Sequence, residues 1–320
     1  MNVPLVTFVI PHKGRENMLR ETLSSIGAQI AAPVFEIVLV SQNASLEAPT
    51  ETLLSTLPVR VLKHPESSTI AALRNAGVIE SRGEFLAFLD ADVALAEDWL
   101  ATLVPLLTKD DSVILASARQ EDSAGAPPLE RIRTTLANAG VDRSVTFLPG
   151  RNLLVARTDF DRVGGFPSEL VTCEDYVFTE RLASLGALAY TSKTHYVHLG
   201  EDKAYGAMFR KEIWRGQSNL ASLGGRRLGP AELPSFLVPP WVTGLAIASA
   251  AVALLGYTAW AASLLFAAAL PVAAYVTRLY LLAGKSIALP YIISFYALYF
   301  PARTLGTLLG LVHTVKTDSH

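Results

Sequence analysis

A chain of 320 residues, 51% of them hydrophobic and with a net charge of −2, can hold one sizeable soluble domain and something smaller. The charge balance gives no bias toward nucleic acid, and the single cysteine, Cys173, excludes an internal disulfide and suits a reducing compartment. The hydrophobic residues are unevenly spread: Leu233 to Thr277 is 45 residues without an Asp, Glu, Lys or Arg, enough for two bilayer helices of about 20 residues each.

The first two hundred residues alternate strand and helix. The opening apolar run, Val3 to Pro11, is too short for a signal peptide and lacks a basic flank. Within it Leu5 to Ile10 reads as a β-strand stopped by Pro11. The polar turn H-K-G-R-E-N then opens a helix from Glu16 to Ala28, with Met18, Leu19, Leu23 and Ile26 on one side. Phe35 to Val40 is a second buried strand, followed by the polar turn S-Q-N-A-S, and Val59 to Leu62 is a third. Ser67 and Ser68 can cap a helix that runs to Ser81. Phe85 to Leu89 is the next apolar strand, and A-E-D-W-L-A-T-L-V-P-L-L begins another helix. This alternation predicts an α/β fold, a mostly parallel sheet with helices on both faces.

The fourth strand ends abruptly in Asp90 and Asp92, with Ala91 between them. Alternation sends i and i+2 the same way, beyond the C-terminal edge of the sheet where open α/β folds bind ligands. Two carboxylates there suit a hard divalent cation carrying a diphosphate. The competing reading has Asp90 capping the turn and Asp92 solvated.

V-T-F-V-I-P-H-K-G-R, F-E-I-V-L-V-S, A-L-R-N-A-G and F-L-A-F-L-D-A-D-V, in that order and spacing, resemble the family 2 glycosyltransferases. So do G-R-N-L-L-V-A-R-T-D-F-D-R-V-G-G-F, C-E-D-Y-V-F-T-E-R-L-A-S-L-G and H-Y-V-H-L-G, and together they cover roughly the first 220 residues. The resemblance implies the GT-A fold, a Rossmann-like sheet that uses nucleotide-activated sugars. It gives Asp90 a role at the ribose or diphosphate and Asp92 a role as metal ligand, with Asp90 and His198 as further candidate ligands for Mg²⁺ or Mn²⁺. It puts Pro11, Arg15 and Arg74 on the nucleotide-sugar side, although Arg74 also reads as an ordinary helix-surface arginine. It makes Asp175 the base for inverting transfer and Glu174 its neighbour, while acids in a helix's first turn are also favoured by the macrodipole. His195, three residues before His198 and so on the opposite face of a strand, is expected to be structural.

One departure concerns the donor base. Many family members end the second strand with adjacent aspartates, whereas this chain has Ser41, Gln42 and Asn43. Ser41, Gln42 and Asn43 can hydrogen-bond a base edge, but the usual uridine inference is weakened. Residues 119 to 146 mix charges, Gly and Pro and read as a surface excursion with a short helix at Leu129 to Leu136. The helix after His198 carries Trp214-Arg215-Gly216-Gln217 where processive synthases show Gln-x-x-Arg-Trp, which argues against a polymerising channel.

The expected organisation is a catalytic domain over residues 1–232 and a membrane domain over 233–320. Spans at 237–255 and 259–282, the second kinked at Pro271, form a hairpin whose ends carry Arg226, Arg227, Arg278 and Lys285, placing both ends in the cytosol at an inner membrane. Residues 287–315 contain Pro290, Pro301 and Arg303 and an aromatic stripe, Tyr291, Phe295 and Tyr299, which fit an interfacial helix better than a third span. The function expected is transfer of one sugar from a nucleotide-sugar donor to a lipid-linked or membrane-proximal glycan. The variant is a polyprenyl-phosphate sugar synthase, and the other class is a non-catalytic scaffold in a membrane assembly.

Overall fold

The computed structural model describes residues 5–217 and 232–317. In chain order its elements are β1 (Val6–His12), α1 (Glu16–Gly27), β2 (Phe35–Ser41), α2 (Ala48–Leu54), β3 (Val59–Lys63), α3 (Ile70–Ile79), β4 (Phe85–Leu89), β5 (Val93–Leu95), α4 (Trp99–Thr108) and β6 (Val113–Glu121). There follow α5 (Pro128–Ala137), β7 (Asn152–Ala156), α6 (Arg157–Arg162), α7 (Glu174–Ala183), β8 (Ala187–His198), α8 (Tyr205–Gly216), α9 (Leu233–Leu254), α10 (Thr258–Leu282) and α11 (Leu289–Thr317). Two compact units result: Met1–Ala124 with Ala137–Glu201, and Gly125–Leu136 with Asp202–His320.

The first unit is built on one eight-stranded sheet in the order β3-β2-β1-β4-β7-β6-β8-β5. β3, β2, β1 and β4 are parallel, as the alternating pattern predicts. β7 then enters antiparallel to both β4 and β6, so the sheet is mixed. The period of two in the strands explains the layers. Phe8 and Ala87 belong to one core with Leu19, Leu23 and Trp99, while their neighbours Val9 and Phe88 belong to another with Phe166 and Phe178. Each face of the sheet is thereby covered by helix.

Two local readings change. Pro11 does not stop β1, which continues to His12 with Pro11 opposite Val40. The register with β4 ends at Val9, so beyond it β1 is paired on one side only, an edge-like place that tolerates proline. The cap of α3 is Thr69, whose Oγ1 accepts the Ala72 N–H at 3.1 Å; Ser68 Oγ lies against His64 Nδ1 instead.

The second unit is helical. α5, expected as part of a surface excursion, buries Leu129 and Ile132 in a core with Met208, Leu279, Phe295, Tyr296 and Phe300. The compact units therefore part at 201/202, with α5 joining the second, and not at the composition boundary of 232/233. Among the described residues, three helices are long and apolar enough to cross a membrane: Leu233–Leu254, Thr258–Leu282 and Leu289–Leu311. Leu237, Trp241, Leu254, Trp260 and Phe266 are exposed on the first two. α8 and α11 run side by side in the same direction. Tyr205 Oη donates to the Tyr291 carbonyl at 3.0 Å at one end, and Gly216 packs on the backbone of Gly306 at the other. Phe295 is buried and Tyr299 stacks on it at 5.4 Å, so this part of the aromatic stripe is a packed face. Arg226 and Arg227, which anchor the start of the hairpin in the charge argument, lie outside the described residues.

Candidate active site

The Asp-x-Asp motif follows directly from β4, and β5 begins one residue after it. β7 runs antiparallel beside β4, and the Asp90 N–H donates to the Arg151 carbonyl at 3.2 Å. Pairing of β5 with β8 sets Val93 opposite His198, which brings the histidine beside Asp92.

Arg74 is not a surface residue. Its side chain is 2% exposed and forms ion pairs of 2.8 Å with both Asp90 and Glu174. Its guanidinium also lies 5.0 Å from the centroid of the Phe166 ring. One arginine on α3 thus ties the acid at the end of β4 to the acid at the start of α7. Burial, together with the adjacent Asp175 charge, pushes the Glu174 carboxyl up to about 7, against the pull of Arg74.

Asp175 is half-buried and accepts two backbone N–H groups, Gly150 at 3.0 Å and Tyr176 at 2.8 Å. The Gly150 backbone comes this close because it has no Cβ, which would lie 3.0 Å from Asp175 Cβ and 3.1 Å from both Arg74 Nη atoms. Arg15 and Cys173, the residues just before α1 and α7, are both left-handed, with φ of 48° and 67°. Non-glycine residues are held there only when the surroundings demand it. Here the consequence is that Arg15 and the Glu174-Asp175 pair are delivered to the site.

Asp92 is nearly buried, with Arg15 Nη1 3.0 Å from Oδ2 and His198 Nε2 3.5 Å from Oδ1. Gly200 permits this approach, since a Cβ there would fall on Asp92 Oδ2. On its other side His198 Nδ1 is 2.9 Å from Arg151 Nη1 and 3.0 Å from Glu201 Oε2. Arg151 Nη1 and Glu201 Oε2 are themselves 3.3 Å apart. His195 sits elsewhere, 3.1 Å from Glu121.

Ser41 and Asn43 hold turns together. Ser41 Oγ lies 3.0 Å from His12 Nδ1, and the Asn43 amide accepts from Gly14 N at 2.8 Å and donates to Glu16 at 3.2 Å. Pro11 is buried in β1. Sequence reasoning missed Arg151, Glu201 and His12. The first two stand inside or next to quoted motifs, G-R-N-L-L and H-L-G, but no spacing links positions fifty residues apart.

The expected trio of metal ligands divides. Asp92 and His198 face each other, whereas Asp90 is committed to Arg74, and among the described residues no three His, Cys, Asp or Glu side chains form a ready cage. A carboxylate oxygen and an imidazole nitrogen still fit a cation whose remaining ligands are phosphates, since Mg²⁺-type sites use one or two carboxylates plus the substrate.

A mixed GT-A-type sheet, with an Asp-x-Asp motif at its ligand-binding edge and a Glu-Asp pair tied to it by an arginine, defines a sugar-nucleotide transferase class. Residues 7–165 match the family model "Glycosyl transferase family 2", and the chain belongs to that family. It is 38% identical over 109 residues, 32% of this chain, to the uncharacterized protein y4gI of Sinorhizobium fredii. It is 23% identical over 192 residues, 57% of this chain, to the pre-mycofactocin glycosyltransferase of Mycobacterium tuberculosis. The chain spans 12% and 40% of the lengths of those two relatives. Among solved structures, the mannosyltransferase PcManGT from Pyrobaculum calidifontis, in complex with GDP-Man and Mn²⁺, is similar with a TM-score of 0.62. It is 20% identical, and the match covers 96% of this chain and 88% of that one. That likeness bears on the fold.

Proposed function

We propose that the chain is a membrane-anchored, inverting glycosyltransferase that moves a single sugar from a nucleotide donor to a lipid-linked or membrane-proximal glycan. The observation that carries the reading is the pair of 2.8 Å bonds from Arg74 to Asp90 and Glu174, which joins the donor motif to the acceptor-side acids at one place. A scaffold has no use for so costly a buried arrangement.

Asp92 and His198 would hold a divalent cation, and Arg15 stands beside them for the diphosphate. When bound, the cation supplies Lewis-acid neutralisation of the leaving nucleoside diphosphate. Asp175 takes the proton of the acceptor hydroxyl as its oxygen attacks the anomeric carbon and the bond from that carbon to the phosphate breaks. The two N–H groups on Asp175 hold its carboxylate in place and aim it. Glu174, bound to Arg74 and more deeply buried, is a neighbour that orients the site. Ser41 and Asn43 bear on the donor base through the shape of their turn, since their polar groups bind the turn itself.

The membrane arrangement we favour keeps α9 and α10 as a spanning hairpin and lays α11 along the cytosolic interface. α11 is long and apolar enough to cross. It is, however, paired between Tyr291 and Gly306 with α8, which carries Arg210, Lys211, Glu212 and Arg215. Glu212 is buried against Arg133, Arg215 and Arg303, the last of these on α11 itself. Carrying that set into hydrocarbon is far costlier than resting it among headgroups. The stretches of the second unit hold twelve Lys and Arg against five Asp and Glu, which suits the anionic cytosolic leaflet.

The test is a thermal-shift screen of nucleotide sugars with and without Mn²⁺, followed by hydrolysis of any that bind. The expected result is metal-dependent stabilisation and slow release of nucleoside diphosphate. Binding of no nucleotide sugar under either condition would return the chain to the scaffold class.

A further inference from the structure

His198 has an unusual pair of neighbours at one atom. Nδ1 meets the Arg151 guanidinium at 2.9 Å and the Glu201 carboxylate at 3.0 Å. Guanidinium can only donate and carboxylate can only accept, so Nδ1 cannot serve both. Suppose Nδ1 carries the lone pair. Arg151 then donates to it, but the charged Glu201 oxygen is left facing that lone pair. Suppose instead that Nδ1 carries the proton. His198 and Arg151 then both donate to the same Oε2, and the 3.3 Å distance from Arg151 closes the triangle. Two donors converging on one carboxylate oxygen is the cheaper arrangement, because the negative charge is what both require.

The other ring nitrogen agrees. Nε2 is 3.5 Å from Asp92 Oδ1, too far for a useful hydrogen bond. That gap is close to the roughly 3 Å between adjacent ligands of one small octahedral cation. We infer that Glu201, held by Arg151, is a positioning residue that fixes His198 as the Nδ1–H tautomer and turns the Nε2 lone pair toward Asp92. Glu201 is itself 5% exposed, and the cost of burying it is offset by these two donors and by Gln120 Nε2, 3.3 Å from the same oxygen. The arrangement is a carboxylate–histidine pair of the kind that orients ligands around metals. It rests on the reading of Asp92 and His198 as cation ligands, but the tautomer can be read without any metal.

The experiment uses the full chain in detergent with ¹⁵N-labelled histidine at pH 8, with His198→Gln to assign the signal. Long-range ¹H–¹⁵N correlation should find Nδ1 protonated and Nε2 bare in the metal-free protein. Glu201→Ala should release the ring toward the other tautomer. Glu201→Gln, whose amide oxygen still accepts, should retain Nδ1–H. With Mn²⁺ alone as probe and unlabelled protein, electron spin echo modulation should detect a directly bound ¹⁴N in the wild type. Mn²⁺ affinity should fall about 10–100-fold in Glu201→Ala. An Nε2–H tautomer in the wild type overturns the inference, whatever the metal does. So does an Ala variant that keeps both tautomer and affinity. An Nδ1–H tautomer without ¹⁴N coupling supports Glu201's role and removes His198 from the ligand set, so the two readings fail separately.

Discussion

Replacing Arg74 by methionine keeps most of its length and removes its charge. Both partners are left behind, and breaking a buried pair from one side costs about 3–5 kcal/mol. The chain has one escape. Glu174 is already pushed up to about 7, and without Arg74, whose charge pulls it down, it climbs further and takes a proton. Between its unfolded value of 4.5 and its folded value the native state holds a proton that the unfolded state lacks. Stability therefore falls as pH rises through that window, by about 1.4 kcal/mol per pH unit. In the wild type the window closes near 7, and in Arg74→Met it stays open above it. The deficit of the variant is then flat below pH 7 and grows above it, at a rate of at most about 1.4 kcal/mol per pH unit. For a unit of this size that limiting rate widens the gap between melting temperatures by roughly 3–6 °C per pH unit. Thermal unfolding of both proteins in detergent, without nucleotide, at pH 6, 7 and 8.5 measures it. A gap that stays constant or narrows with pH would refute the assignment of Glu174 as the group Arg74 restrains.

Asp92→Asn should abolish metal-dependent nucleotide binding, checked by calorimetry with Mn²⁺, because the charge holds the cation against the diphosphate. Asp175→Asn should leave donor binding largely intact while transfer falls by about 10²-fold or more, the usual scale for a lost base; near wild-type transfer would point to Glu174 or to a phosphate acceptor. In a Cys173→Ser background, cysteines at positions 286 and 319 should label only from the cytosolic side and one at 257 only from outside. Labelling of position 319 from outside would make α11 a third span.

Much of the first unit was legible because strands report their period directly. Phe8 and Val9, or Ala87 and Phe88, need only alternate for two covered faces to follow. The ligand edge was legible for the same reason, since an apolar run cut off by Asp90 and Asp92 can end in few other places. What failed was partner choice. Arg74 looks like any helical arginine until Glu174, a hundred residues on, is placed against it. The reversed direction of β7 left no mark, because a buried strand reads alike in either sense. α5 joined the helical unit through Leu129 and Ile132, while a boundary drawn from composition sees only where charges stop.

The site separates a fixed arginine from an exchangeable one, and that difference accounts for the unequal aspartates. Arg74 is 2% exposed and bonded on two sides, so Asp90 has a partner it cannot readily lose. Arg15 is 60% exposed, on a left-handed residue at a helix start, and makes its ion pair with Asp92 from the solvent side. Asp92 is nearly buried, so it keeps its need for a positive partner, but Arg15 can leave it toward solvent when another cation takes over that role. On the proposed reading, Asp92 would hold a cation in place of Arg15, and the guanidinium of Arg15 would then be available to the diphosphate. Asp90, held by Arg74, would keep its position meanwhile and serve as a fixed acceptor for the donor. On that reading the same two-residue motif would provide one exchangeable ligand and one anchored acceptor, and the difference lies in which arginine each acid faces.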